Sequence, residues 1–479
     1  MPRKAMADAG FAPPVSTPKT PDYVVAELRY DSKVAFTANR FEGPQEAENV
    51  VASLNEVLAS FGIKSFGSHF GVKPGAIRER TAPPADVMAA PVTAEFAQSG
   101  FVQIVPKKPG DAAELAKRLN RKQSVWKAVV APKPVPAAMA TGSSTASRDF
   151  EPAQGYLASA PDGIGAMAVW PQPGGKGQGV RICDIEGNWN LKHEDLPAGI
   201  PLLGGTPIAD IGWRNHGTAV LGEMVSRPND FGCVGISHGA KAAVQSAVIG
   251  GVFNTAGAIL NATGKLAKGD VILIELQATG PNGKYVAMQY WDDVFSAIKV
   301  ATAKGITVVE AAGNGNENFN LAIFNGTGLQ KDSGAVVVGA GIPPTNYFDK
   351  FGFGAGMPGY SKIGVPRSRI WFSNYGKIVN VQGWGWHVTT LGYGDAQGGA
   401  EKRWYSLRFS GTSSASPIVT GAVACIQGRA KAKLGAPMTP AQVRALLIKT
   451  GTPQVPGPGV PLTQHIGPQP NLEKAFKGI

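Results

Sequence analysis

Cysteine is scarce. Three residues in a chain of 479 cannot build a disulfide framework. Cys183, Cys233 and Cys425 each lie in an apolar stretch, the setting of buried reduced thiols. No run of about 18 apolar residues exists, so no membrane span is expected. The opening MPRKAMADAGFAPP is basic but lacks the apolar run of a secretory signal. A cytoplasmic location is therefore expected, with export by another route left open. Charged residues are few, at 17%, yet their balance is strongly basic, with a net charge of +12. The Lys and Arg are scattered. The small grouping Lys117, Arg118, Arg121 and Lys122 reads as the solvated face of a helix. No zinc-finger spacing or RNA-binding aromatic signature accompanies them, so the charge is read as serving solubility and no nucleic-acid partner is expected.

Glycine and proline are abundant, at 62 and 37 residues, and hydrophobic residues make up 43%. That combination predicts a large core with many loops, the usual carriers of a site. Residues 1–21 read as a disordered tail. Residues 22–131 read as a small α+β unit with strands at 23–30, 101–106 and 125–131 and helices at 47–63 and 111–122. Two strand–helix–strand halves of this kind suggest a ferredoxin-like sandwich, although 66–97 fits it poorly. The Pro, Ala, Ser and Thr of 132–150 read as an exposed linker. From 151 to 479 uniformly apolar strands (179–185, 270–276, 306–312, 334–341) alternate with helical stretches at 216–225, 285–305 and 413–430. Such alternation predicts an α/β domain with a mostly parallel sheet covered on both faces.

Four stretches of that larger domain carry chemistry. In FSGTSSASP (409–417), Ser413 is expected at a helix N-terminus, where free N–H groups and the helix dipole favour negative charge. Pro417, which has no N–H, is assigned to the first turn. In NHGTAVLGEMV (215–225), His216 is expected at the start of a helix and can serve that hydroxyl as base. The strand of GVRICDIEGNW is read as ending on Asp184, the carboxylate for the imidazole. Glu186 is the local rival, set aside as a turn residue. In VVEAAGNGN, Asn314 follows an apolar strand and offers an amide to an oxyanion.

Taken together, Asp184, His216, Asn314 and Ser413 resemble the subtilisin family of serine peptidases, whose chain order of functional groups they follow. The resemblance runs over about 151–476. It implies a three-layer α/β domain and an endopeptidase acting on proteins or peptides. Asp184 would orient His216, His216 would act as base and then acid, Ser413 would carry the acyl group, and Asn314 would donate to the oxyanion. No cofactor is implied for catalysis. The chain departs from the family in reading Asp-Ile-Glu-Gly at the acid and Ser414 after the nucleophile, and the 355–405 region reads as inserted loops near the cleft. The resemblance further implies a substrate-pairing strand over Glu275, Leu276 and Gln277, where Glu275 could favour a basic side chain. It also implies a structural Ca²⁺ held by Asp195 and Asn229. Residues 22–131 resemble a propeptide, which would make the chain a zymogen with its own inhibitor. A non-catalytic protein keeping the scaffold, a sedolisin-type acid peptidase, and an esterase or peptide ligase using the same acyl-enzyme are the competing readings. The intact triad speaks against the first, and Asn314 with the His216-Gly-Thr stretch against the second.

Overall fold

The computed structural model describes residues 21–29, 34–36, 40–43, 45–69, 100–133, 147–344 and 364–479. The expected tail therefore lies almost wholly outside the described residues, as do most of 66–97, most of the linker and the first part of 355–405.

The N-terminal unit runs β1 (Val24–Leu28), α1 (Glu48–Phe61), β2 (Ile63–Ser68), β3 (Phe101–Pro106), α2 (Ala112–Leu119) and β4 (Val125–Val130). Its antiparallel sheet has the order β2-β3-β1-β4. Leu54, Val57 and Leu58 of α1 and Leu115 and Leu119 of α2 close one face over Val24, Ala26 and Val102. In α1 those apolar positions recur every three or four residues, so one helix face is buried while the other meets water.

The larger unit is built on β5 (Arg181–Glu186), α3 (Ile211–Val225), β6 (Lys241–Ser246), α4 (Thr255–Lys265) and β7 (Val271–Ile274). It continues through β8 (Gln277–Thr279), β9 (Tyr285–Ala287), α5 (Asp292–Ala303), β10 (Thr307–Ala311), β11 (Val336–Gly341) and β12 (Val381–Trp384). A hairpin of β13 (Val388–Leu391) and β14 (Tyr405–Phe409) leads into α6 (Thr412–Leu434). The six-stranded sheet has the order β12-β11-β10-β7-β5-β6 and is parallel throughout. Two layers of helix cover it, giving three layers in all. Ile182, Leu273, Val309 and Val338 meet α3 and α6 on one face, while Cys183, Ile185, Ile272 and Val308 meet α4 and α5 on the other.

That period-two alternation decides where the acids go. Asp184 and Glu186 continue the Ile182 side of β5, and Glu275 continues the Leu273 side beyond β7. Because Ile274 pairs with Ile185, these carboxyls converge beneath α3 and α6. Glu310, on the opposite phase of β10, stays on the other face, where its carboxyl accepts the Gln289 N–H at 2.7 Å.

Candidate active site

The strand expected to end on Asp184 runs two residues further. Glu186 is still paired, opposite Ser246 of β6, and is the last residue of β5. This extension changes which acid meets the imidazole. Glu186 Oε2 lies 2.9 Å from His216 Nδ1, with both side chains fully enclosed. Asp184 sits one pleat deeper, where its Oδ2 accepts the Trp189 indole N–H at 2.7 Å. The hydrogen bond to the imidazole thus comes from Glu186, not from Asp184. Gly217 lets Trp189 reach that far. A Cβ there would stand 2.3 Å from the Asn188 carbonyl and 2.6 Å from the Trp189 ring.

His216 belongs to the second turn of α3 rather than to its start. The helix begins at Ile211 and is capped by Asp210, whose carboxylate accepts the Trp213 N–H at 3.0 Å. The imidazole is fixed by Glu186 on one side and by the edge of Phe409, 5.5 Å between ring centroids, on another. Its Nε2 has no hydrogen-bond partner among the described residues. Burial drives the imidazole pKa down to about 4, so the ring is neutral at neutral pH, the state a base requires. Burial pushes Glu186 upward, opposed by the Gly187 N–H.

Ser413 is the second residue of α6 and is almost enclosed, at 6% exposure. Pro417 falls in the second turn, not the first, so the carbonyl one turn below it, on Ser413, lacks the usual helical donor. Asn314 faces the helix start. Its Oδ1 accepts both the Thr412 N–H, at 2.9 Å, and the Thr412 hydroxyl, at 3.0 Å. These two donors fix the amide's orientation and leave Nδ2 buried, with no hydrogen-bond partner among the described residues. Gly411, at φ +108, keeps the approach open, since a Cβ there would lie 3.1 Å from that Nδ2. Asn374 braces the loop behind by donating to the Ala312 carbonyl and accepting from Gly315 and Glu317. The sequence did not mark the roles of Asn374 and Thr412, whose partners lie on distant segments, or of Trp189, which reaches back five residues to Asp184.

Of the three residues expected to meet substrate, Glu275 and Leu276 are each 1% exposed and turn into the protein. Glu275 therefore offers no open carboxylate to a basic side chain. Gln277 is also buried, and its Oε1 accepts the Asn314 N–H at 2.8 Å, which anchors the amide donor.

Asp195 and Asn229 do meet, but not as a cation cage. Asn229 Nδ2 donates to Asp195 Oδ1 at 2.8 Å, and the Cys233 N–H donates to Oδ2 at 2.7 Å. With an N–H aimed at each carboxylate oxygen, a cation would meet donors where it needs oxygens, so these residues do not fit Ca²⁺. Among the described residues no group of three or more His, Cys, Asp and Glu is placed to hold a metal, and no helix is long and apolar enough to cross a membrane.

Comparison with known proteins agrees with this architecture. The chain is 29% identical over 287 residues to an "Extracellular protease" of Xanthomonas campestris pv. campestris, a match covering 58% of this chain and 41% of that protein. It is 27% identical over 304 residues to an "Intracellular serine protease" of Paenibacillus polymyxa, covering 60% of this chain and 78% of that one. Among solved structures, fervidolysin from Fervidobacterium pennivorans, described as a keratinolytic enzyme related to subtilisin, shares the fold. Its TM-score is 0.53 at 17% identity, over 98% of this chain and 64% of that one. The model of the subtilase family matches residues 204–467, more than half of the chain, taking in His216, Asn314 and Ser413 and beginning downstream of Asp184 and Glu186. The chain belongs to the subtilase family of serine peptidases.

Proposed function

We propose that the chain is an endopeptidase that cleaves proteins or peptides through an acyl-enzyme on Ser413, with His216 as base and Glu186 as the carboxylate that holds it. The observation that carries this reading is the 2.9 Å contact between Glu186 and His216 Nδ1, which leaves Nε2 on the same ring with no partner among the described residues. A carboxylate at Nδ1 selects the tautomer with the proton on that nitrogen and stabilises the imidazolium as it forms. Nε2 then takes the proton of the Ser413 hydroxyl and returns it to the leaving amine. The oxygen of the tetrahedral intermediate receives the Asn314 amide and the backbone N–H of Ser413. Asp184, bound to Trp189, supports the strand beneath and does not meet the imidazole through a hydrogen bond.

The N-terminal unit is proposed to act as an intramolecular inhibitor before cleavage within 132–150. Support comes from its seat on the α4 and α5 side of the larger unit. His69 Nε2 lies 2.7 Å from Asp293 Oδ2, Asn254 donates to the His69 carbonyl at 2.7 Å, and Lys127 pairs with Asp292 at 2.5 Å. Tyr23 donates its hydroxyl to the Phe253 carbonyl. A fluorophosphonate probe tests the main reading. Ser413 should be labelled in the wild type and no residue in Ser413→Ala, and labelling that survives this substitution refutes it.

A further inference from the structure

Three carboxyls lie on the α3 and α6 side of the sheet around Ser413 and His216, namely Asp184, Glu186 and Glu275, and a fourth, Glu223, is buried within α3. Among the described residues, no lysine or arginine forms an ion pair with any of them. The proposed reaction employs Glu186 alone, and Glu275 is the acid beside the nucleophile's own helix.

The proton count at Ser416 bears on the state of Glu275. Ser416 Oγ is 2.5 Å from Glu275 Oε2 and 2.8 Å from the Thr412 carbonyl. A serine hydroxyl owns one proton, whereas a carbonyl and an ionised carboxylate both only accept. With one proton and two acceptors, one of these buried contacts would be empty. The carbonyl cannot supply the missing proton, but a carboxylic acid can. The satisfied arrangement has Glu275 O–H donating to Ser416 Oγ, and Ser416 O–H donating to Thr412. Thr412 and Ser413 are the first two residues of α6, and Thr412 also holds Asn314.

We propose that Glu275 is a positioning residue that must be a neutral carboxylic acid, clamping the first turn of α6 beneath Ser413, and that its ionisation shuts the site down. This inference rests on the reading of Ser413 as the nucleophile.

The surrounding groups differ between the two acids. Glu186 faces two donors, His216 Nδ1 and the Gly187 N–H, the second opposing the upward push of burial on its carboxyl. Glu275 faces Glu186 and Asp184 of β5 and the buried Glu223 of α3, all acidic. The Ser416 hydroxyl on α6 lies against its Oε2 but is already committed to Thr412, and Oε1 has no hydrogen-bond partner among the described residues. Burial and the two acids of β5 hold its pKa well above the usual carboxylate range, with the hydroxyls of Ser416 and Ser413 opposing them. Once ionised, it would release the clamp and place a negative charge behind the developing oxyanion.

Glutamine at 275 mimics the neutral acid, because its amide N–H can donate to Ser416 Oγ. The test is the rate of Ser413 labelling by a fluorophosphonate as a function of pH, read by intact mass. The wild-type rate should fall about tenfold or more as rising pH ionises Glu275, while Glu275→Gln should keep its rate. An unchanged fall in Glu275→Gln, or loss of labelling at every pH in a folded Glu275→Gln, overturns the proposal. If that variant does not fold, the infrared band of protonated carboxyls in the wild type decides. It should decline over the pH range in which the labelling rate declines, and a falling rate with an unchanged band overturns the inference. Absence of labelling in the wild type at all pH values would instead sink the proposed function, which separates the two failures.

Discussion

Glu186 and His216 meet 2.9 Å apart inside the protein, both fully shielded from solvent, the acid at the last position of a sheet strand and the base in the second turn of a helix laid across it. Two residues earlier on the same strand, Asp184 is tied to an indole instead. The alternation of a strand puts both acids on one face, and the length of the strand decides which of them reaches the ring.

Removing the amide donor should cost turnover rather than binding. Asn314→Ala leaves Thr412 without its acceptor and the oxyanion without one N–H. A fall in kcat of about 10²–10³, with KM little changed, is expected from steady-state kinetics on a peptide substrate. A variant with a raised KM and unaltered kcat would place Asn314 in substrate binding instead.

The buried imidazole has a signature in acid. Its pKa is lowered from the ordinary value to about 4, so between about 6.5 and 4 the unfolded chain takes up a proton that the folded chain refuses. By linkage this contribution to stability is complete above the ordinary imidazole value and is lost as pH falls through that window. NMR of His216 should show a neutral ring down to about pH 4 to 5, with Tm declining over the same range. A ring that titrates near 6.5 contradicts the burial account.

Chelation should leave the fold unmoved. Asp195 is already held by Asn229 and the Cys233 N–H, so a chelator is expected to leave Tm unchanged. Asp195→Ala, which strands buried donors, should cost about 2 kcal/mol or more in chemical denaturation. A Tm that drops with chelator and recovers with Ca²⁺ would show that these donors rearrange around an ion.

Maturation offers a comparison by mass. Ser413→Ala should keep its full-length mass on storage, whereas the wild type should lose the N-terminal unit by cleavage between residues 132 and 150. Identical processing in both would point to an outside protease.

Much of this was legible in the chain. Uniformly apolar strands alternating with helices announced a parallel sheet, because strands buried on both faces have no polar side to display. Ser413, His216 and Asn314 were marked by small residues that let backbone and substrate approach closely. The acid that meets the imidazole differs from the expected one for a physical reason. Hydrophobicity stops at Ile185, but pairing with β6 continues through Glu186, and only the register tells where a strand ends. Glu275 was read as facing substrate because its neighbours follow the family's substrate strand, while its phase on that strand turns it under α6. Asp195 and Asn229 are expected as ligands of a Ca²⁺, and the direction of the Asn229 amide and of the Cys233 N–H, which fill the carboxylate instead, has no trace in residue identity.

The most direct measurement is the labelling rate of Ser413 by a fluorophosphonate in Glu186→Gln and Asp184→Asn, side by side at one neutral pH. The structure predicts a fall of about 10⁴ in Glu186→Gln, as when a carboxylate is neutralised beneath a catalytic histidine, and a change within about tenfold in Asp184→Asn. A dead Asp184→Asn beside an active Glu186→Gln would contradict it.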